Sequence, residues 1–374
     1  MPCLRAKQCE GDGSVAMSDS EHRDPGDFEN VAGFEALSES MRKCLRGVIW
    51  KDTPADYFLN GIENNLKLEE QLAKGTYKQR KTRKFQVTYP KKRDIVSVAF
   101  RDRVFQRSLN DNVIYPRVSK SFIYDNMACQ KGKGPDKARD RMKCFLQRYF
   151  RKHGIEGYVL KCDIKGYYPN MSHKVVRDCF KKVIEGWSYQ QALMVLDGQY
   201  DGEIGYNPGS QMIQIAGIGI LNSLDHYIKE ELHIKHYIRY MDDFILIHHD
   251  KQYLLECKVK IAQRLMALDC QFNTKKTGIT RLSEGIEFLG FQFRLSNTGK
   301  VIMTINSRNV KHERKKLRKM VNKALRGEMP REKVDECYNA WKNHAGKGNS
   351  YHLLQRMDEY YNSLWKEGAV EDKH

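Results

Sequence analysis

No Cys-x-x-Cys pair occurs among the ten cysteines, and no cluster of Cys and His has the spacing of a zinc finger, so neither a disulfide framework nor a structural zinc site is expected and the thiols should be reduced. No apolar run reaches membrane-spanning length, and a mean hydropathy of −0.68 with 40% hydrophobic residues excludes both a spanning segment and wholesale disorder. The first thirty residues lack the basic start, apolar stretch and small-residue cleavage site of a secretory leader, so the cytoplasm is the expected location. Negative charge is in short supply: 47 Asp and Glu face 65 Lys and Arg, a net +18, which makes a polyanion the first partner to consider.

At 374 residues the chain has room for two or three domains. The charge is uneven. Residues 1–40 hold three basic and nine acidic residues, a net of −6, which leaves +24 for the remainder. Residues 1–33 read as a disordered acidic tail, with Met17 an alternative start, and order is expected from Phe34, where Phe34, Leu37, Met41, Leu45 and Val48 recur at helical spacing. Residues Tyr57 to Leu72 continue that pattern. A basic stretch follows, in which Lys81, Arg83, Lys84, Lys91, Lys92 and Arg93 surround two strand-like runs, Phe85–Tyr89 and Ile95–Val98, and so predict a hairpin with cations at its turn. Gln130-Lys-Gly-Lys-Gly134 suits approach to phosphates but lacks the spacing of a P-loop and reads equally as a flexible turn.

The chemistry concentrates in two blocks. Tyr158-Val-Leu-Lys-Cys-Asp-Ile164 is a short apolar run, expected to be a buried strand, with one acid, Asp163, inside it; a carboxylate there must be paired, hydrogen-bonded or metal-bound. His236–Tyr240 and Phe244–Ile247 are strand-like runs joined by Met241-Asp242-Asp243, which places two carboxylates at a hairpin tip. Side chains alternate along a strand, so one of Asp242 and Asp243 should share a face with Asp163. Two such strands side by side would supply hard oxygen ligands for a pair of divalent cations, the arrangement that phosphoryl transfer to a 3′-hydroxyl requires.

Taken in order, Asp163-Ile-Lys-Gly-Tyr-Tyr-Pro169, Pro208-Gly-Ser-Gln-Met-Ile-Gln214, Tyr240-Met-Asp-Asp243 and Phe288-Leu-Gly-Phe291 resemble the palm motifs of reverse transcriptases. Arg93 and Phe100-Arg-Asp-Arg-Val-Phe-Gln106 are similar to fingers motifs of bacterial members. The resemblance spans about residues 85 to 295. It departs from the family at Pro208, where a Gln is usual, and at Ile213, where a Ser is usual. These bear on the pocket around the templating base and not on the metal chemistry.

The resemblance implies an α+β, right-hand polymerase: fingers with N-terminal helices over 34–157, a palm on an antiparallel sheet over 158–298, and a helical thumb over 299–374. It implies Asp163, Asp242 and Asp243 as catalytic acids and, with Ile164, as the ligands of two Mg²⁺ ions, Mn²⁺ being an alternative. Arg93, Lys92, Tyr168, Gly209, Gln214 and Lys276 become substrate-binding residues. Arg93 and one of Lys91 or Lys92 would hold the triphosphate, Tyr168 would exclude a ribose 2′-hydroxyl, and Lys275 or Lys276 would assist the leaving pyrophosphate.

Beyond residue 307 a helical pattern places Val310, Leu317, Val321 and Leu325 on one side and Lys311, Arg314, Lys315, Arg318 and Lys319 on the rest. Together with Lys81, Arg83 and Lys84, the residues Lys311, Lys315 and Arg318 are the candidate nucleic-acid contacts. A second helix, capped by Ser350, carries Tyr351, Leu354, Met357, Tyr361 and Trp365.

The implied partners are a structured noncoding template RNA, a primer and its DNA product, and deoxynucleoside triphosphates, with no membrane and with room for an accessory protein or oligomer. Lone reverse transcriptases of antiphage defence and diversity-generating retroelements fit better than retrons or intron maturases. Two rival readings are a non-polymerising RNA-binding maturase or scaffold, which the intact acids oppose, and a template-independent, protein-primed polymerase.

Overall fold

A computed structural model describes residues 27–87, 93–207 and 209–371, with the side chains of Arg93 and 367–371 left aside. Along the chain run α1 (Asp27–Ala32), α2 (Phe34–Leu45), α3 (Asp52–Leu59), α4 (Gly61–Ala73), β1 (Arg83–Val87), β2 (Arg93–Ser97) and α5 (Phe100–Leu109), which passes through a π-helical turn into α6 (Tyr115–Ser119). Next come α7 (Pro135–His153), β3 (Tyr158–Asp163), α8 (His173–Lys181), α9 (Gly186–Asp197), α10 (Gln211–Ile220), α11 (Asn222–His226), β4 (His236–Tyr240), β5 (Asp243–His248) and α12 (Lys251–Met266). The chain ends with β6 (Gly278–Arg281), β7 (Ile286–Phe288), β8 (Phe291–Leu295), β9 (Val301–Ile305), α13 (Ser307–Leu325), α14 (Arg331–Ala345) and α15 (Tyr351–Glu371). Among the described residues no helix is long and apolar enough to cross a membrane, and eight cysteines are free thiols.

Two compact units result. One comprises residues up to Lys81, Val98–Val113 and Ile184–Leu196, and the other the rest. The boundaries expected from the sequence are therefore not contiguous blocks. The β1–β2 hairpin and α7, expected within the fingers, belong with the sheet, and Ile184–Leu196, expected within the palm, belongs with the N-terminal helices. The expected palm–thumb boundary at 298/299 falls inside the β8–β9 hairpin. Order also begins earlier than Phe34, because Val31 and Ala32 of α1 are fully buried, Ser108 donates to the Val31 carbonyl and Ser188 to Asp27. The rest of the expected tail, 1–26, lies outside the described residues.

The architecture is α+β, and its centre in the second unit is a four-stranded antiparallel sheet in the order β4-β5-β3-β6. Its strands read as continuous apolar runs because both faces are covered. Val159, Ile238, Ile245 and Ile247 pack with Met142, Phe145 and Tyr149 of α7 and with the phenylalanines of the β7-β8-β9 sheet. The alternate residues Leu160, Cys162, Tyr237, Phe244 and Leu246 are buried on the other face, and α12 packs on β3, β5 and β6. The period of two holds without a slip, since Val159 lies opposite Ile247, Leu160 opposite Leu246 and Cys162 opposite Phe244. At the C-terminal end, α13, α14 and α15 bury Leu317, Val321, Val334, Tyr338 and Met357 together; α14 is a helix the sequence reading did not name.

Candidate active site

Where β3 meets β5 the apolar pattern stops, and the last paired residues are Asp163 and Asp243, directly opposite one another. Cross-strand partners share a face, so this register answers which acid of the pair looks toward Asp163 from within the strand. Asp243 is the first residue of β5, and the β4–β5 connection is a two-residue turn of Met241 and Asp242. Met241 has φ +58°, a left-handed conformation that costs a side-chain-bearing residue about 1–2 kcal/mol. Such strain persists only where the surroundings fix it.

The device that fixes it is a buried ion pair on the opposite face of the sheet. Arg239 and Asp225 are both fully buried, and Arg239 reaches Asp225 through Nε at 2.7 Å and Nη2 at 2.5 Å. Its Nη1 donates to the Met241 carbonyl at 3.0 Å, Nη2 also to the Ile218 carbonyl, and Tyr237 adds a hydrogen bond to Asp225. Burial works against the guanidinium's charge, yet the carboxylate and its hydrogen bonds outweigh that and its pKa is raised. The strand pattern at His236–Tyr240 gave Arg239 no role, and Asp225 was not singled out from the sequence; the signal was an acid at a helical position with no exposed face and an arginine on the apolar side of a strand.

Asp163 accepts from Lys276 Nζ at 2.8 Å and from Asn273 Nδ2 at 3.0 Å, while its backbone is tied to Asn273 and Thr277. Of the two lysines left open by the sequence, Lys276 stands at the carboxylates; Lys275 caps the loop with its amide on Asn273 Oδ1. The Lys276 pKa is raised, chiefly by the hydrogen bond to Asp163. Burial pushes Asp242 above the ordinary carboxylate range, with the charge of Asp163 adding to it. Burial likewise pushes Asp243 up to about 6, with Asp163 and Asp242 raising it further against Lys161. Asp243 Oδ1 is buried without a hydrogen-bond partner. Ile164, buried and apolar, has only its backbone to offer a ligand. Among the described residues no three acidic, imidazole or thiol groups close on one point, Asp163 being turned onto Lys276 and Asn273. Three carboxylates that repel one another, one with an orphaned oxygen, nonetheless form a donor set of the hard type that divalent cations take.

Asp242 opens on a cleft of about 770 Å³ that is also lined by Tyr168, Tyr206, Asn207, Asp94 and Lys84. Tyr167 and Tyr168 lie in a turn and not on a strand, so strand alternation does not set the directions of their side chains. Both rings approach Gly217 of α10: the Tyr167 hydroxyl donates to the Gly217 carbonyl, and a Cβ at that glycine would stand 3.1 Å from the Tyr168 hydroxyl. The glycine leaves room for both tyrosines at this close approach. The Tyr168 hydroxyl has no hydrogen-bond partner, and burial raises its pKa.

Gly209 donates its amide to Asn207 Oδ1, and Asn207 in turn donates to the Asp94 carbonyl of β2. Gln214, on α10, accepts a long contact from Cys129 Sγ. Arg93 is on β2 opposite Val87. Lys91, Lys92 and Pro208 lie outside the described residues. Lys81 belongs to the first unit, whereas Arg83 and Lys84 are exposed on β1, Lys84 in an ion pair with Asp201 at 3.1 Å. Lys311, Lys315 and Arg318 are exposed on α13. The Gly/Lys loop is no phosphate cradle at Lys133, which is turned inward onto the carbonyls of Tyr124 and Asn126 and has its pKa lowered by burial.

No curated protein matches the chain. Among solved structures it is similar to telomerase from Candida albicans in complex with a fragment of telomeric RNA, at 12% identity and TM-score 0.46, covering 76% of this chain and 54% of that one. It is also similar to apo telomerase from Candida tropicalis, truncated from its C-terminal domain, at 16% identity and TM-score 0.40, covering 64% and 60%. The chain thus spans between about half and three fifths of these telomerase chains. The sequence profile of the family described as reverse transcriptase (RNA-dependent DNA polymerase) matches residues 90–293, a span that contains the three acids, Tyr168, Gly217, the Arg239–Asp225 pair and Lys276. By that match, over more than half of its length, the chain belongs to the reverse transcriptase family.

Proposed function

We propose that this chain adds deoxynucleotides to a primer 3′-hydroxyl on an RNA template. The observation that carries the reading is the direct pairing of Asp163 with Asp243 across β3 and β5, with Asp242 in the adjoining turn. Asp163, Asp242 and Asp243, with the Ile164 carbonyl, would hold divalent cations, Mg²⁺ or alternatively Mn²⁺. When bound, these supply Lewis-acid activation of the attacking hydroxyl and charge neutralisation at the leaving group.

The protein's own part is positioning. Arg239 fixes the turn that presents Asp242. Lys276, kept protonated by its hydrogen bond to Asp163, neutralises the departing pyrophosphate. Arg93 and Lys92 hold the triphosphate, Gly209 and Gln214 border the nascent base pair, and the Tyr168 ring clashes with a 2′-hydroxyl. Lys81, Arg83, Lys84, Lys311, Lys315 and Arg318 contact the phosphates of the hybrid.

Primer extension on an RNA template tests this. Asp163→Asn and Asp242→Asn should each abolish extension and leave RNA binding nearly unchanged, because each removes a cation ligand without touching the basic surfaces. Wild-type extension by both variants overturns the assignment. The sequence resemblance supports a lone bacterial enzyme that copies a structured noncoding RNA in antiphage defence, with a diversity-generating retroelement as the alternative. Sequencing the RNA that copurifies with the protein separates the two.

A further inference from the structure

A second groove, of about 1010 Å³, lies between β9, the start of α13 and the start of α15, and it shares no residue with the cleft at Asp242. Lys300, Lys311, Arg314 and Arg356 line it, and no carboxylate does. All four are exposed. Among the described residues none of these four has an acidic partner, whereas deeper in the helices Lys316 of α13 pairs with Glu313 and Lys342 of α14 with Asp358 of α15. Two long helices therefore turn their N-terminal ends, where backbone N–H groups and the helix dipole favour an anion, into one cationic groove.

The independent observation is Ser350. It stands at the N-cap of α15, lines the groove, is 4% exposed, and its hydroxyl has no hydrogen-bond partner. An N-cap serine ordinarily turns its oxygen onto the first-turn amides. Here the first amide taken up is that of Leu354, by the Ser350 carbonyl, and the hydroxyl is left unused. The approach to the cap is rigid: Asn349 exchanges hydrogen bonds with both the amide and the carbonyl of Met303 on β9. Gly348 permits this, since a Cβ there would stand 2.6 Å from the Met303 carbonyl. Beside the cap, Tyr351 presents a ring that is 70% exposed. An exposed aromatic next to cations and unsatisfied donors is the pairing that single-stranded nucleic acid uses, phosphate to the donors and base to the ring.

We infer that this groove binds single-stranded RNA, with a phosphodiester at Ser350 and the first turn of α15, flanked by Lys300 and Arg356, and a base against Tyr351. The identity of the strand rests on the polymerase reading; the anion chemistry does not.

Fluorescence anisotropy of the full chain with a short labelled single-stranded oligoribonucleotide tests it. Ser350→Asp is the decisive variant: Asp is accepted at an N-cap, thermal unfolding shows that the variant folds, and a purely structural role predicts unchanged binding by the folded variant. A phosphate site predicts binding by that folded variant weakened at least about tenfold, because like charges meet. Lys300→Ala with Arg356→Ala should lower the slope of log affinity against log salt by about 1.4, for two phosphate contacts on a single strand. Tyr351→Ala should weaken binding with little change in that slope. Wild-type affinity and slope in both charge variants overturn the proposal. So does loss of inorganic pyrophosphate binding in those variants while oligonucleotide affinity stays unchanged, which would make the groove a site for free anions, or a wild-type preference for the matching oligodeoxyribonucleotide. A wild-type chain that fails to extend any primer would refute the proposed function and leave this comparison of affinities standing.

Discussion

Replacing Asp225 by Asn removes one charge from a pair in which neither partner is exposed and leaves the Arg239 guanidinium buried with its other acceptors, the Ile218 and Met241 carbonyls, both neutral. Breaking a buried pair on one side costs about 3–5 kcal/mol. Set against a total of about 5–15 kcal/mol for a folded domain, that is a large share of its stability. At about 2–4 °C per kcal/mol, the midpoint of thermal unfolding should fall on the order of 10 °C, read by circular dichroism. Replacing both partners, as Asp225→Leu with Arg239→Met, removes the stranded charge and should recover most of that loss. It should not recover nucleotide addition, because the Met241 carbonyl then has no donor and the left-handed turn carrying Asp242 is no longer held. Stability and activity thus part company in the double variant. If Asp225→Asn unfolds within about 1 kcal/mol of wild type, or the double variant extends primers at the wild-type rate, the reasoning that Arg239 fixes the catalytic turn is refuted.

Further predictions concern the acids and the tyrosines. Asp243 has a folded pKa of about 6 against an ordinary 3.8, so the folded state holds its proton more tightly than the unfolded chain does. Its stabilising contribution is complete below about pH 4 and is lost as pH rises to about 6, a penalty of at most about 3 kcal/mol. Asp243→Asn should therefore unfold at higher urea than wild type at pH 7 and at nearly the same urea at pH 4; parallel curves across that range would contradict it. Lys276→Ala should change stability by no more than about 1 kcal/mol, since the lysine is largely exposed, but should slow nucleotide addition; an unchanged rate in pre-steady-state extension would remove it from the mechanism. Tyr168→Ala should raise ribonucleotide incorporation relative to deoxyribonucleotide, measured as the ratio of kcat/KM on one template. Tyr167→Phe should cost about 1 kcal/mol of stability, from the lost bond to the Gly217 carbonyl, without moving that ratio.

The sequence by itself determined the sheet and the identity of its acids, because both are written in local periodicity. The apolar runs at 158–164, 236–240 and 244–247 became β3, β4 and β5, with a turn at Met241 and Asp242. The basic hairpin, expected with strands at 85–89 and 95–98 and described at 83–87 and 93–97, and the cationic helix from Ser307 were readable for the same reason. What it could not reach were properties set by residues far apart in the chain. That Asp243, and not Asp242, lies opposite Asp163 follows from the register between strands eighty residues apart. That Lys276 sits on Asp163 while Lys133 turns inward depends on loops folded back over the sheet. Tyr167 and Tyr168 lie in a turn, outside the reach of strand alternation, and both rings come to rest against Gly217 of a helix some fifty residues away. Nor does local pattern show that Ile184–Leu196 packs with helices from the start of the chain. Local pattern records which face of an element is apolar. Which charges meet across that face, and which are left without a partner, is decided by long-range packing, because a buried charge takes its energy from whatever neighbour the fold brings to it.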